Sequence, residues 1–130
     1  MKEYMLIIRN TIDSKSSFSP AQDLEFLNSC KQYIGKLEKG KNLIASQPMI
    51  WEGKILSGKP GAWKEDSFHT GKEVIVGYYH LLARDLESAV ELAKENPEFA
   101  YTNTASIEVR PVKMKEEATG FVYPDKKNQQ

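Results

Sequence analysis

Positions 3–9 of the chain read Glu-Tyr-Met-Leu-Ile-Ile-Arg, a short apolar run rich in β-prone residues. A run of that kind suits a strand buried on both faces. Asn10 to Ser17 is polar and serine-rich, a loop by composition. Ser19-Pro20-Ala21-Gln22 then carries a helix-start signature. Serine caps, proline fits the first turn, and glutamine at the third helical position completes a capping box. Leu24, Leu27, Cys30, Ile34 and Leu37 follow at spacings of three and four, widened by Phe26 and Tyr33, and Gly40 supplies a stop. The spacing predicts a helix over 20–39.

Between 43 and 72 the pattern is broken. Leu43-Ile44-Ala45 and Lys54-Ile55-Leu56-Ser57 look like short strands, and Gly58, Pro60 and Gly61 punctuate the chain before Trp63. Two or three short strands joined by loops are expected here. Residues 73–83 make the longest strand. Alternation puts Val74, Val76, Tyr78, His80 and Leu82 on one face and Ile75, Gly77, Tyr79, Leu81 and Ala83 on the other. Asp85 caps a second helix with a buried stripe of Leu86, Ala89, Val90 and Ala93, which Asn96-Pro97 ends. Ser106 to Val112 is the last strand, with Ile107 and Val109 on the helix side and Glu108 and Arg110 on the open side. The order β-α-β-β-(β)-α-β predicts an α+β fold: a ferredoxin-like βαββαβ sheet with two helices on one face.

Two helices cover only one face of such a sheet. The long strand alone would leave Val74, Val76, Tyr78 and Leu82, or its alternate set, on the other. A patch of that size rarely faces water in a monomer, so a homodimer through the sheet faces is expected. Glu108 and Arg110 would then lie in the cleft between subunits, where buried charges need partners.

The 130 residues are enough for one domain, read as 1–113, with a polar tail at 114–130 ending in Pro-Asp-Lys-Lys-Asn-Gln-Gln. Phe121, Val122 and Tyr123 are the apolar exception in that tail. Eighteen basic side chains balance eighteen acidic ones, which argues against direct nucleic-acid contact. The single cysteine, Cys30, excludes a disulfide framework and a thiolate zinc cluster. Near the amino terminus only Met5 to Ile8 are consecutively apolar, too few for a secretory core of about 7–15 or a membrane span of about 20. A cytoplasmic protein with no membrane contact is expected.

The stretch WKEDSFHTGKEVIVGYYHLLARDLESAVELAKENPEF, followed by Ile-Glu-Val-Arg-Pro at 107–111, resembles the YCII-related family in its DGPF branch. Lys2 to Arg9 also fits that family's opening strand. The resemblance implies a dimeric α+β barrel. Aligned without a gap, Glu65-Asp66-Ser67-Phe68 takes the place of the DGPF box. Glu65 then replaces the aspartate and Asp66 the glycine, whereas a one-residue gap brings Asp66 into the acidic position. Thr70 stands where the family has a second acid. The family's better-studied members look as if they use a His-Asp pair near the first helix, but this chain's two histidines are His69 and His80. The branch also carries a transcription-initiation label by association.

His80, on the long strand, has a side chain whose ordinary pKa suits acid-base work, although a strand histidine bonded to a neighbour is the blander reading. His69 follows the EDSF sequence, where Glu65 or Asp66 could orient it, or it is a solvated loop residue. The H-x10-H spacing matches no metal motif, so no metal and no cofactor are expected. Cys30 on the helix stripe reads as buried and inert. The Gly-Lys-Pro-Gly stretch at 58–61 lacks the ending of a phosphate loop, and no serine sits in a G-x-S-x-G turn. Trp51, Trp63, Phe68, Tyr78 and Tyr79 supply enough aromatic surface for a small-molecule pocket, or serve as core and interface anchors. The expected function is small-molecule binding in a dimer cleft, with lyase, isomerase or hydrolase chemistry. His80 or His69 would act as base and Glu65 or Asp66 would orient it. Arg110 would hold an anionic group, with Tyr78 and Glu108 alongside. The alternative is a non-enzymatic binding or regulatory module.

Overall fold

The computed structural model describes residues 1–69 and 72–124. Thr70 and the end of the tail beyond Pro124 lie outside the described residues. The elements run β1 (Lys2–Thr11), α1 (Pro20–Lys39), β2 (Leu43–Pro48), β3 (Ile55–Lys59), β4 (Ala62–Asp66), β5 (Glu73–Ala83), α2 (Leu86–Lys94), α3 (Glu98–Tyr101) and β6 (Ser106–Pro111). The chain is an α+β protein. Four strands form one antiparallel sheet in the order β2-β5-β1-β6, and β3 and β4 make a separate two-stranded hairpin.

Helix α1 begins as its sequence dictates. Ser19 Oγ accepts from the Gln22 N–H at 3.1 Å, and Gln22 Oε1 accepts from the Ser19 N–H at 2.8 Å, so the two residues satisfy each other. Its end differs from expectation. Gly40 is right-handed, and Lys41 takes the left-handed conformation with φ 59°. The Lys41 N–H donates to Glu38 O at 3.0 Å and the Asn42 N–H to Leu37 O at 2.8 Å, which closes the helix as a Schellman turn.

The core lies between the helices and one sheet face. Tyr4, Leu6 and Ile8 of β1 and Tyr79, Leu81 and Ala83 of β5 point into it at period two. Tyr33 and Leu37 meet them from α1, and Ala89 and Ala93 from α2. The Tyr33 and Tyr79 rings pack edge to face at 5.2 Å, and the Tyr33 hydroxyl donates to Leu92 O at 2.8 Å. Both helix stripes are corrected in detail. In α1 only the second half is anchored, since Leu24 and Leu27 are 59% and 55% exposed. In α2 the buried line runs through Ala89, Leu92 and Ala93, while Leu86 is exposed.

Strand β5 carries a second correction. Its pairing with β1 passes from Ile8↔Gly77 to Arg9↔Ile75, so Val76 is an extra residue, a β-bulge. Past the bulge the parity reverses. Val74 is buried opposite Asn10 and Val76 packs on the helix-side core, so neither shares a face with Tyr78, His80 and Leu82. On β6, Ile107 and Val109 pack on the core, and Glu108 and Arg110 alternate to the opposite side.

Two features went unforeseen. The segment after Asn96-Pro97 winds into α3, with Asn96 Oδ1 accepting from the Glu98 N–H at 2.9 Å. Beyond β6 the chain turns on itself. Lys115 bridges Val122, the Tyr123 N–H donates to Met114 O at 2.9 Å, and Phe121 meets Tyr123 edge to face. Among the described residues no helix is long and apolar enough to cross a membrane.

Candidate functional site

The side chains of β1 that face away from the core are Glu3, Met5, Ile7 and Arg9. Met5 lies opposite His80 on one neighbouring strand and opposite Arg110 on the other, and Ile7 lies between Tyr78 and Glu108 in the same way. Two rows therefore cross the open face, His80-Met5-Arg110 and Tyr78-Ile7-Glu108. Strand spacing puts the outer members of each row about 10 Å apart at the backbone.

His80 Nε2 is 2.7 Å from Glu3 Oε1. A carboxylate oxygen only accepts, so Nε2 carries the hydrogen and donates it. Glu3 is directly opposite Leu82, so the contact is a diagonal one across the β1–β5 pair. Both side chains are mostly shielded, at 24% and 17% exposure. Elsewhere on the same face Glu108 accepts from Arg9 at 3.1 Å and stands 3.7 Å from the Arg110 guanidinium. One carboxylate thus lies between two cations, and the Arg110 side chain remains largely open, a geometry that suits pairing with an anion. A carboxylate-oriented imidazole in the neutral ring keeps Nδ1 as an acceptor, the arrangement that general acid-base transfer requires.

Four of the residues singled out in the sequence come together in this way: His80, Tyr78, Glu108 and Arg110. The others do not. Glu65 and Asp66 lie on β4 of the separate hairpin, opposite Leu56 and Ile55, and Asp66 is 3.7 Å from Lys64. Being successive strand residues, they face opposite ways. His69 is exposed, and its carbonyl accepts from the Lys72 N–H at 3.1 Å. Among the described residues no hydrogen bond or ion pair joins His69, Glu65 or Asp66 to His80. The aromatic set is likewise divided: Trp51 and Trp63 are exposed, Tyr79 is under the helices and Tyr78 is on the open face.

Sequence reasoning missed Glu3 as the partner of His80 and Arg9 as the partner of Glu108. The available signal was parity. Glu3 and Arg9 are the charged ends of an otherwise apolar strand, in phase with Met5 and Ile7, which marks one face of β1 as charged at both ends.

No protein-family model matches the chain, and no curated protein matches it at a significant level of similarity.

Proposed function

We propose that the chain is a cytoplasmic homodimer of the ferredoxin-like, dimeric α+β barrel type, akin to the DGPF branch of the YCII-related family. In this reading it binds a small organic anion in the cleft where two open sheet faces meet. The strand order β2-β5-β1-β6 supports the fold reading, because two central strands flanked in this way are the ferredoxin-like arrangement. The observation that carries the functional reading is the 2.7 Å contact between His80 and Glu3, with Arg110 in the same row across Met5.

Glu3 replaces Glu65 and Asp66 as the group that orients the base. His80 removes or returns a proton at the substrate while Glu3 fixes the ring, and Arg110 pairs with the substrate's carboxylate. That division of labour fits lyase, isomerase or hydrolase chemistry. A second copy closes the face and raises the strength of each of these interactions by excluding water.

The alternative is a binding or regulatory module without catalysis. It is favoured by the placement of Glu65 and Asp66 on the hairpin and of His69 in the loop after it, unjoined to His80 among the described residues. NMR of the His80 ring and the Arg110 side chain, with acetate, pyruvate and maleate added in turn, separates the two. Shifts at both residues, lost in Arg110→Ala, are expected. A His80 ring indifferent to all three would transfer the case to the binding-module reading.

A further inference from the structure

The half-anchored helix α1 leaves a cavity on the other side of the sheet. Its second half is held by Tyr33 and Leu37, while its first half stands over β1, β2 and β5 with a space of about 440 Å³ beneath it. That volume falls within the range of small-molecule sites. The walls are apolar: Ile8 from β1, Phe26 and Ile34 from α1, and Val76 at the bulge. Gly77 also lines it, at a point where a Cβ would come within 3.1 Å of Gln47 O on β2.

Polar groups also line the cavity. Lys15 Nζ is 2.8 Å from Glu98 Oε1, and Glu98 Oε2 also accepts from Asn10 Nδ2 at 2.7 Å, so this buried carboxylate is neutralised and hydrogen-bonded within the protein. Burial pushes the Cys30 thiol up, and burial with Cys30 and Glu98 nearby pushes the Tyr79 phenol up to about 12. Both are neutral donors at ordinary pH. Asn96 Oδ1 is used by the Glu98 N–H, but the buried Nδ2 has no hydrogen-bond partner among the described residues. It approaches the hydroxyl oxygens of Tyr33 and Tyr79 as a donor, without the geometry of a full hydrogen bond. Folded proteins rarely leave such a donor unpaired.

We infer that this cavity is a second binding site, separate from the open sheet face, and that it takes a small neutral organic molecule presenting one acceptor oxygen, such as a ketone or amide. The oxygen accepts from Tyr79 O–H. That turns the phenol hydrogen toward the ligand and frees its lone pair for Asn96 Nδ2–H, so one incoming acceptor satisfies both groups. A charged ligand is disfavoured because the lining pair Lys15 and Glu98 already sums to zero and a further buried charge would have no counter-ion. Lys31 is exposed at the rim, where water screens it.

The test compares 2-acetonaphthone with 2-naphthoate, matched in shape and different in charge, by heteronuclear NMR on the full chain. The ketone is expected to shift the Asn96 side-chain amide and the Cys30 and Tyr79 signals, with 2-naphthoate at least about tenfold weaker. Tyr79→Phe is expected to weaken the ketone by about threefold to tenfold, the worth of one neutral hydrogen bond. Leu27→Trp, placed at the exposed mouth, keeps the fold and abolishes the shifts. Equal or tighter binding of the naphthoate overturns the inference. So does the absence of any shift at the cavity residues up to the ketone's solubility, or shifts confined to His80 and Tyr78.

Discussion

Glu3 and His80 are separated by 77 positions in sequence and by 2.7 Å in space, a contact made across the two central strands. Among the described residues neither side chain has another side-chain hydrogen-bond partner, so the pair should be energetically coupled. A double-mutant cycle through Glu3→Gln, His80→Phe and the double variant is expected to give a coupling of about 0.5–1.5 kcal/mol in urea unfolding. A coupling indistinguishable from zero would show that the two merely coincide.

The end of α1 offers a stabilising substitution. Lys41 holds the left-handed position of a Schellman turn, at φ 59°, where glycine is the residue without a Cβ penalty. Lys41→Gly is expected to raise stability by about 0.5–1 kcal/mol, read as a higher urea midpoint at unchanged slope. A lower midpoint would mean that the lysine side chain contributes a contact that outweighs its backbone strain.

Asp85 makes the start of α2 sensitive to acid. Its carboxylate accepts from the Ser88 N–H at 2.8 Å, and this bond, with the Ser88 and Arg84 side chains, holds its pKa below the ordinary value. A folded pKa lower than the unfolded one gives stability that is present above the unfolded pKa and is lost as pH falls through the folded one. Wild type should therefore exceed Asp85→Asn in stability near neutral pH, and the difference should shrink as pH falls below about 4. A gap between the two that stays constant on acidification would contradict the assignment.

The β3–β4 hairpin is a unit of its own. Gly58 has φ 111°, and a Cβ there would lie 2.3 Å from Ala62 O. Gly58→Ala should abolish the cross-strand NOEs between residues 58 and 63 and leave those between β1 and β5 intact. Loss of both sets would show that the hairpin and the sheet fold as one.

What was legible in the sequence was local. The Ser19-Gln22 capping box, the bounds of β5 and the Asp85 cap depend on residues a few positions apart, and each forms as its pattern reads. The facing of Glu108 and Arg110 was legible too, because β6 is short and regular. The phase of β5 was not. One extra residue at Val76, decided by the partner strand, carries Val74 and Val76 to the helix side while His80 and Tyr78 stay on the open one. The cavity was equally hidden. A continuous stripe from Leu24 to Leu37 reads as a fully seated helix, and only the packed structure shows its first half standing off the sheet.

The mass in solution tests the central claim most directly, because the acid-base site proposed for the open face has a cleft only if a second copy covers it. Multi-angle light scattering at about 10 μM, well above the dissociation constants of ordinary specific dimers, should give twice the 14.8 kDa of one chain. Ile7→Arg, placed between Tyr78 and Glu108 at the middle of that face, should give one chain with an intact circular dichroism spectrum. A wild-type mass of a single chain would contradict the account.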